Sequence, residues 1–439
     1  MSTAPSAEEE ALSSAAGTDH QISFQRLEIA DEPSQASLPR LDGGFAAWSY
    51  LAAATGLETL VWGLTNSYGV FLAHYEPIFH SSPLLPVVGT IAMGSMYILL
   101  SPLTLYLSSK PHLRPWTMWV GLLILSAGMI GAAFATSPVQ LLGTQGIMYG
   151  IGGTMLYCPV TSYMFEWWRY RRGMATGVMF SGTGLGGLVM PFVSSALLQR
   201  YGRKTTLISL AVGYVFLLSL LIPFIRPRLP LPAKTHRAAP KIDWLFLNHQ
   251  AFWLLFLGVL SQGLAAFIPS TYIPSYASTL SLPASTGTVS VALMNLARVP
   301  GQVILGWISD RVAPRKLIML MAAGSSLSVF AGWGEAKSTG ALLGFSLAFG
   351  TFAGSYTALF PRFIEVIAKD DPHLPQILYA FFSFARGLGS VLSGPISSSL
   401  LSLDSQVYGM KGYGVLVLWT GAALATSGIA AGYNGLKRE

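Results

Sequence analysis

Three ionisable side chains lie deep inside long apolar stretches of this 439-residue chain: Glu58, Arg298 and Arg386. A charge near the centre of a bilayer costs about 2.5–3.5 kcal/mol on insertion scales, so it is kept mainly where it does work. Their chemistries are complementary. A carboxyl in a dry setting exchanges a proton, and a guanidinium grips a carboxylate through two parallel hydrogen bonds. An interhelical ion pair that only fixes packing is the other reading of the same residues. Covalent chemistry has no such candidates. His20, His74, His80, His112, His236, His249 and His373 fall in tails, loops or the ends of apolar stretches, and the single cysteine, Cys158, stands alone inside one. Neither a nucleophile with its base, nor a metal site, nor a cofactor is expected, and the chain does not read as an enzyme.

The elements that position these charges are membrane helices. The chain is 52% hydrophobic and 10% charged with a mean hydropathy of +0.53, against roughly 25% charged residues in a globular domain. A span needs about 20 mostly apolar residues. Twelve stretches qualify, at 46–72, 85–108, 116–136, 139–163, 173–198, 205–225, 251–277, 286–309, 316–334, 339–363, 376–401 and 412–434. Residues 1–42 hold eight acids against two bases and no apolar run, which predicts a disordered cytoplasmic tail and not a signal peptide. The longest interruption, 226–250, carries Arg226, Arg228, Lys234, Arg237 and Lys241 among prolines. It reads as a basic cytoplasmic linker between six-helix halves at 43–225 and 251–434, with a short tail at 435–439.

The net charge of +7 does not call for nucleic acid. Lys and Arg gather in the loops after spans 2, 4, 6, 8 and 10, as short cytoplasmic loops do, so both termini are expected in the cytoplasm and the plasma membrane is the expected site. Arg200, Arg203 and Lys204, between spans 5 and 6, go against this bias. No Asn begins an N-x-Ser/Thr acceptor that would report sidedness.

A shift of 203 residues lays Gly184-Leu185-Gly186 on Gly387-Leu388-Gly389, and Ser194-Ser195 with Leu197-Leu198 on Ser397-Ser398 with Leu400-Leu401. The shift also carries span 1 onto span 7 and span 5 onto span 11. Two parallel six-helix repeats with a midplane site between them are the expected architecture. The run Gly182-Thr183-Gly184-Leu185-Gly186-Gly187 satisfies G-x-G-x-x-G, but no strand precedes it, so a dinucleotide loop is rejected in favour of close helix packing on the small faces Gly173/Gly177 and Gly182/Gly186.

After span 8 stands Gly306-Trp307-Ile308-Ser309-Asp310-Arg311-Val312-Ala313-Pro314-Arg315-Lys316. It resembles the Gly-x-x-x-Asp-Arg-x-x-x-Arg-Lys signature of the major facilitator superfamily. The resemblance implies that Asp310 and the bases Arg311, Arg315 and Lys316 lock the cytoplasmic end by ion pairing; ordinary positive-inside anchoring is the other reading of these bases. The matching copy after span 2, Leu103 to Leu113, keeps only Lys110. Two further stretches resemble the monocarboxylate porters: Asp42-Gly43-Gly44-Phe45-Ala46-Ala47-Trp48 before span 1, and Trp168 to Gly177, with Arg171, Arg172 and Gly173, before span 5. Asn66-Ser67-Tyr68-Gly69-Val70-Phe71 is similar to that family's fungal branch. In animal members the resemblance places a lysine at Asn66 and an aspartate at Met294, one turn before the arginine matched by Arg298. Binding of an anionic group at Arg298 is therefore implied, and Glu58 is the candidate substitute for the lost coupling groups.

Neutral polar residues in the spans, Asn66, Gln145, Gln262, Asn295 and Gln302, suit substrate contacts or helix-to-helix bonds, the commoner use. Trp62, Tyr149, Tyr157 and Trp253 suit either an apolar pocket or the membrane interface. Pro269 and Pro274 are expected to break span 7, and Pro159 and Pro191 to interrupt spans 4 and 5. The whole reads as an all-α membrane protein with the major facilitator fold, moving small carboxylate-bearing organic compounds by alternating access, with protons as candidate coupling ions and the lipid bilayer as its other partner. Efflux of a fungal secondary metabolite and a non-transporting nutrient sensor are the alternatives.

Overall fold

The computed structural model describes residues 38–79, 82, 84–230, 244–283, 285–368, 374–403, 407–409 and 413–433. The expected tail 1–37, the linker centre 231–243 and the end 434–439 lie outside the described residues.

Helices account for nearly all of the rest, as a bilayer requires, since backbone N–H and C=O groups find no water there. We number twelve spans. α1 runs Phe45–Asn66 and continues as Tyr68–Tyr75; α2 runs Leu84–Ile98 and Leu100–Ser109; α3 is Arg114–Ala133. α4 begins at Pro138, passes through a π-helical stretch at Leu142–Met148 and ends at Trp167. α5 and α6 share one helical run, Arg172–Leu221, divided at Gly202. α7 is Gln250–Ala266 with Ile268–Thr279; α8 is Ser285–Ser309; α9 is Pro314–Leu327 with a π stretch at Ser328–Trp333. α10 joins Thr339–Phe352 to Phe360–Ala368, α11 is Leu374–Leu401, and α12 is Tyr413–Thr426 with a last 3-10 turn at Ser427–Gly432. Nine described helices are long and apolar enough to cross a membrane, one of them the 53-residue run that holds both α5 and α6. The broken α1 and the π-containing α4 complete the twelve.

Gly202 makes the turn between α5 and α6 because its φ of 69° lies where a Cβ is strained. The three bases around it, anomalous for their end of the bundle, each lie over an aromatic ring. Arg200 sits over Tyr201, Arg203 over Phe79 at 5.5 Å, and Lys204 over Phe134 at 4.6 Å. Rings at the ends of α1 and α3 lie under Arg203 and Lys204, and the ring of the next residue lies under Arg200, so each base has a cation–π contact. Two proline expectations are corrected. Helices run through Pro159 and Pro191 without a break, and span 4 is irregular at its π turn instead. Span 7 does break, at Phe267, two residues before Pro269.

The 203-residue repeat is visible in the packing. α5 packs on α1 of its own half and on α8 of the other, and α11 packs on α7 and on α2. Gly184 faces the backbone of Asn295 on α8, and its repeat-mate Gly387 faces Tyr97 and Ile98 on α2. Gly186 lies against Thr59 and Gly63 of α1, and its mate Gly389 against Leu260 and Gly263 of α7. Each Gly-x-Gly pair therefore lets one helix approach its own half and the opposite half together.

A Cβ on Gly186 would come within 2.1 Å of the Thr59 carbonyl oxygen and 2.7 Å of the Gly63 Cα, both backbone atoms with nowhere to go. Gly186→Ala is expected to cost about 1–3 kcal/mol, read as a fall in thermal midpoint in detergent. Gly213→Ala, in the same helical run but where nothing lies within 4 Å, is the control and does not lower the midpoint.

Candidate functional site

The ends that carry the loops after α2, α4, α6, α8 and α10 form the basic end of the bundle, and there the two halves are pinned together at the starts of α5 and α11. Asp310 accepts the backbone N–H groups of Gly173 and Met174, both at 2.9 Å, and pairs with Arg362 at 3.3 Å. The first N–H groups of a helix have no intrahelical acceptor and carry the positive end of its dipole, so a carboxylate there is well placed. Burial pushes the Asp310 carboxyl up from its ordinary range, against the pull of those N–H bonds and of Arg362. Gly173 must be small, since its Cβ would meet the Asp310 carboxylate and the Gly306 carbonyl.

The ion pairing implied by the signature is built differently in this structure. Arg311 donates to the Trp307 carbonyl and stacks 3.8 Å over the Trp307 ring, Arg315 stacks over Tyr433, and Lys316 is exposed. None of the three pairs with Asp310; the cation is Arg362 of α10, itself bonded to Glu365. Arg311, Arg315 and Lys316 are all exposed at the α8–α9 turn, whereas Arg362 on α10 reaches the carboxylate.

Two stretches 127 residues apart, Asp42 to Trp48 and Trp168 to Gly173, prove to be one structure. The Asp42 carboxylate accepts N–H bonds from Arg169, Tyr170 and Arg171 at 2.8–3.1 Å, its own N–H donates to Trp167, and Trp48 meets Trp168 edge-on at 5.3 Å. The boundary expected at residue 42 is corrected: Asp42 is docked on the start of α5, because those turn amides need an acceptor. Gly44 holds φ at 85°, which accounts for a glycine there, whereas a Cβ on Gly43 would meet nothing. Arg172 donates to the Trp168 carbonyl and lies over Phe165. Arg171 contributes its backbone, its side chain being exposed.

At the start of α11 a second seam uses residues that spacing alone did not single out. Arg114 pairs with Glu166 at 3.2 Å and donates to Gln376 at 3.1 Å, and Gln376 donates to Ser108 at 3.0 Å. Under the repeat, Gln376 is the mate of Gly173. Glu166 also accepts the N–H of Arg228 at 3.1 Å, which ties the linker to the bundle.

Further into the bundle the three deep charges come together without pairing. Glu58 is wholly buried; its Oε2 accepts from Thr183 of α5 at 3.1 Å, and its Oε1 has no partner. Arg298 and Glu58 lie within electrostatic reach, as do Arg298 and Arg386, yet neither arginine makes an ion pair with Glu58. The packing-pair reading of these residues therefore fails in this conformation. Arg386 is 2% exposed, donates to Gln262, which in turn donates to the Ala353 carbonyl at 3.0 Å, and lies over Tyr97 and Phe267. Arg298 is half-buried with no hydrogen-bond partner on its Nε, and Asn66 Nδ2 is likewise without one.

Aromatic side chains pack in the same part of the bundle. Trp62 packs on Tyr97 at 4.5 Å and on Tyr157 at 5.6 Å, and the Tyr157 hydroxyl bonds to that of Tyr379 across the two halves. Tyr149 bonds back to α1 through the Val61 carbonyl, and Gln145, Asn295 and Gln302 make helix-to-helix or local bonds. Trp253 is half-exposed and capped on Leu247. Nothing here resembles a catalytic constellation.

Two parallel six-helix halves that meet at α2, α5, α8 and α11, with charges retained between them, set the comparison with known proteins. Residues 51–394 match the Major Facilitator Superfamily. The chain belongs to that superfamily. It is therefore a membrane transporter by family and not an enzyme. It is similar to MFS-type transporter 1 of Ophiocordyceps sp. (strain BCC 1869), at 26% identity over 87% of this chain and 83% of that one. It is also similar to the agnestins efflux protein AgnL12 of Paecilomyces divaricatus, at 25% identity over 76% and 77% of the two chains. The fold matches the proton:xylose symporter XylE with a TM-score of 0.65 at 14% identity, covering 87% of this transporter and 94% of that structure.

Proposed function

We propose that this transporter moves a small organic anion across the membrane by alternating access, gripping a carboxylate at Arg298, in the manner of a monocarboxylate porter. The observation that carries the reading is Arg298 itself: a half-buried guanidinium between the halves, without an ion-pair partner, on the helix that packs against the opposite half. A buried cation left unpaired is costly unless a ligand supplies the missing charge. Export is the direction we favour, because a similar fungal protein is named for efflux, and the aromatic lining of Trp62, Tyr97 and Tyr157 suits a cargo larger than lactate. Asp310 ties the two halves together at the basic end, as a gate there requires. Counterflow of labelled organic acids into liposomes holding the pure protein tests the reading. Saturable exchange supports it, and the absence of any exchange would leave the sensor alternative.

We further propose that the basic end is cytoplasmic, in the plasma membrane, with both termini on that side. The sole cysteine, Cys158, is buried, so single-cysteine reporters have a silent background. An impermeant maleimide should label Lys204→Cys in intact cells and Lys316→Cys only after permeabilisation. Labelling in the reverse order would invert the topology.

A further inference from the structure

The region around Tyr97 has a surplus of hydrogen-bond donors. Trp62 Nε1, Asn66 Nδ2, Arg298 Nε and Arg386 Nε are all buried and all without an acceptor. They belong to one neighbourhood. The Trp62 ring centroid is 4.5 Å from that of Tyr97, the Arg386 guanidinium carbon is 5.8 Å from the Tyr97 ring, and Arg298 interacts electrostatically with both Tyr97 and Arg386. Asn66 follows Trp62 by four residues in α1 and so shares its face. Trp62 and Arg386 are each only 2% exposed, whereas Asn66 and Arg298 keep partial exposure and leave the group an opening. Buried donors are nearly always satisfied in folded proteins, so four together mark a place where an acceptor is expected from outside the chain. Among the described residues the one deep carboxylate does not serve in this conformation: Glu58 keeps Oε2 on Thr183, and its free Oε1 bonds to neither arginine.

The donors also differ in kind. Two are guanidinium N–H groups, which favour a carboxylate, and two are neutral N–H groups, which suit a neutral oxygen. Flat surfaces flank them: Tyr97 and Phe267 lie over Arg386, and Trp62 packs on Tyr97. A short aliphatic acid such as lactate would fill the charged half and offer its hydroxyl to one neutral donor, but leave the rings unused.

We propose that Trp62, Asn66, Arg298 and Arg386 form one donor cradle around Tyr97, whose ligand is a flat aromatic acid with a second oxygen acceptor beside its carboxylate. The proposal rests on the transport reading above and narrows it from organic anions at large to this class. Trp62 reads the second acceptor and the arginines hold the carboxylate.

The test is counterflow into liposomes carrying the full-length protein, with o-hydroxybenzoate, benzoate and lactate as probes. The half-saturation concentration for benzoate is expected to be about tenfold above that for o-hydroxybenzoate, one hydrogen bond's worth, and that for lactate about a hundredfold above. Trp62→Phe keeps a ring and removes the N–H. It should raise the o-hydroxybenzoate value about tenfold and leave benzoate within about twofold, a change in ratio that general damage to the fold does not produce. Equal values for the three acids, or a Trp62→Phe shift common to both aromatic probes, would overturn the cradle. Exchange of lactate that depends on Arg298 but shows no aromatic preference overturns the cradle and leaves organic-anion transport standing. Failure to exchange any acid removes both.

Discussion

Arg298→Lys should lower the apparent affinity for acidic cargo by about 100-fold at equal expression, because it keeps the charge and loses the fork. Hydrogen bonds to charged groups are worth about 1.5–3 kcal/mol each, and an ammonium reproduces one of the two that a guanidinium makes to a carboxylate. The site compensates only in part. Among the described residues Arg298 has no ion-pair partner, and its neighbour Arg386, held by Gln262 through one N–H group, keeps its Nε for the cargo. Binding of labelled acid by the detergent-purified variant separates a loss of grip from a loss of movement. An affinity within about twofold of wild type would remove Arg298 from the cargo site.

Glu58→Gln is expected to leave exchange of substrate largely intact while flattening its dependence on pH. The carboxyl is wholly buried, bonded through one oxygen to Thr183, with the other oxygen unmatched and Arg298 within electrostatic reach but unpaired. Such a group has one free position that a proton, or a guanidinium brought closer by a helix movement, can occupy. If alternating access moves α8 against α1, the two occupants alternate, and protonation becomes tied to the direction the cavity faces. Glutamine keeps the Thr183 bond and cannot titrate. Exchange is measured across a range of pH in liposomes with and without a proton gradient. A variant that keeps the wild-type pH profile would reduce Glu58 to a packing residue.

Much of this arrangement was legible in the sequence wherever a rule of spacing or burial cost applies to one element at a time. Apolar length marked the twelve spans. The insertion cost of a charge picked out Glu58, Arg298 and Arg386, and the repeat found Gly184 and Gly387 before their partners on α8 and α2 were known. What the sequence left hidden depends on which helices meet. The pairing of Asp310 with Arg362 needed the position of α10; the bases adjacent in sequence misled because a turn sends neighbouring side chains to different faces. The Arg114–Glu166–Gln376 bonds and the Tyr157–Tyr379 bond join residues 52 to 262 positions apart that no local pattern links. The signal that might have exposed them was weak: an arginine and a glutamine at opposite span starts. The π turns in α4 and α9 left no mark, since each adds a single residue to an apolar helix.

The two seams at the basic end are of unequal strength. At the start of α5 a carboxylate holds two amides and an arginine, whereas at the related start of α11 the amide of Gln376 serves as both donor and acceptor. Charge-assisted bonds are roughly twice as strong as neutral ones. The aspartate seam makes two such bonds between the halves, to the amides of Gly173 and Met174, and the Gln376 seam makes one, from Arg114, beside a neutral bond to Ser108; the Gln376 side is therefore expected to part first, with the aspartate side as the spine of an opening book. On the transport reading proposed above, the first breach would lie between α2 and α11, beside Tyr97 and Arg386, and would give a bulky molecule that edge to pass while the spine stays closed.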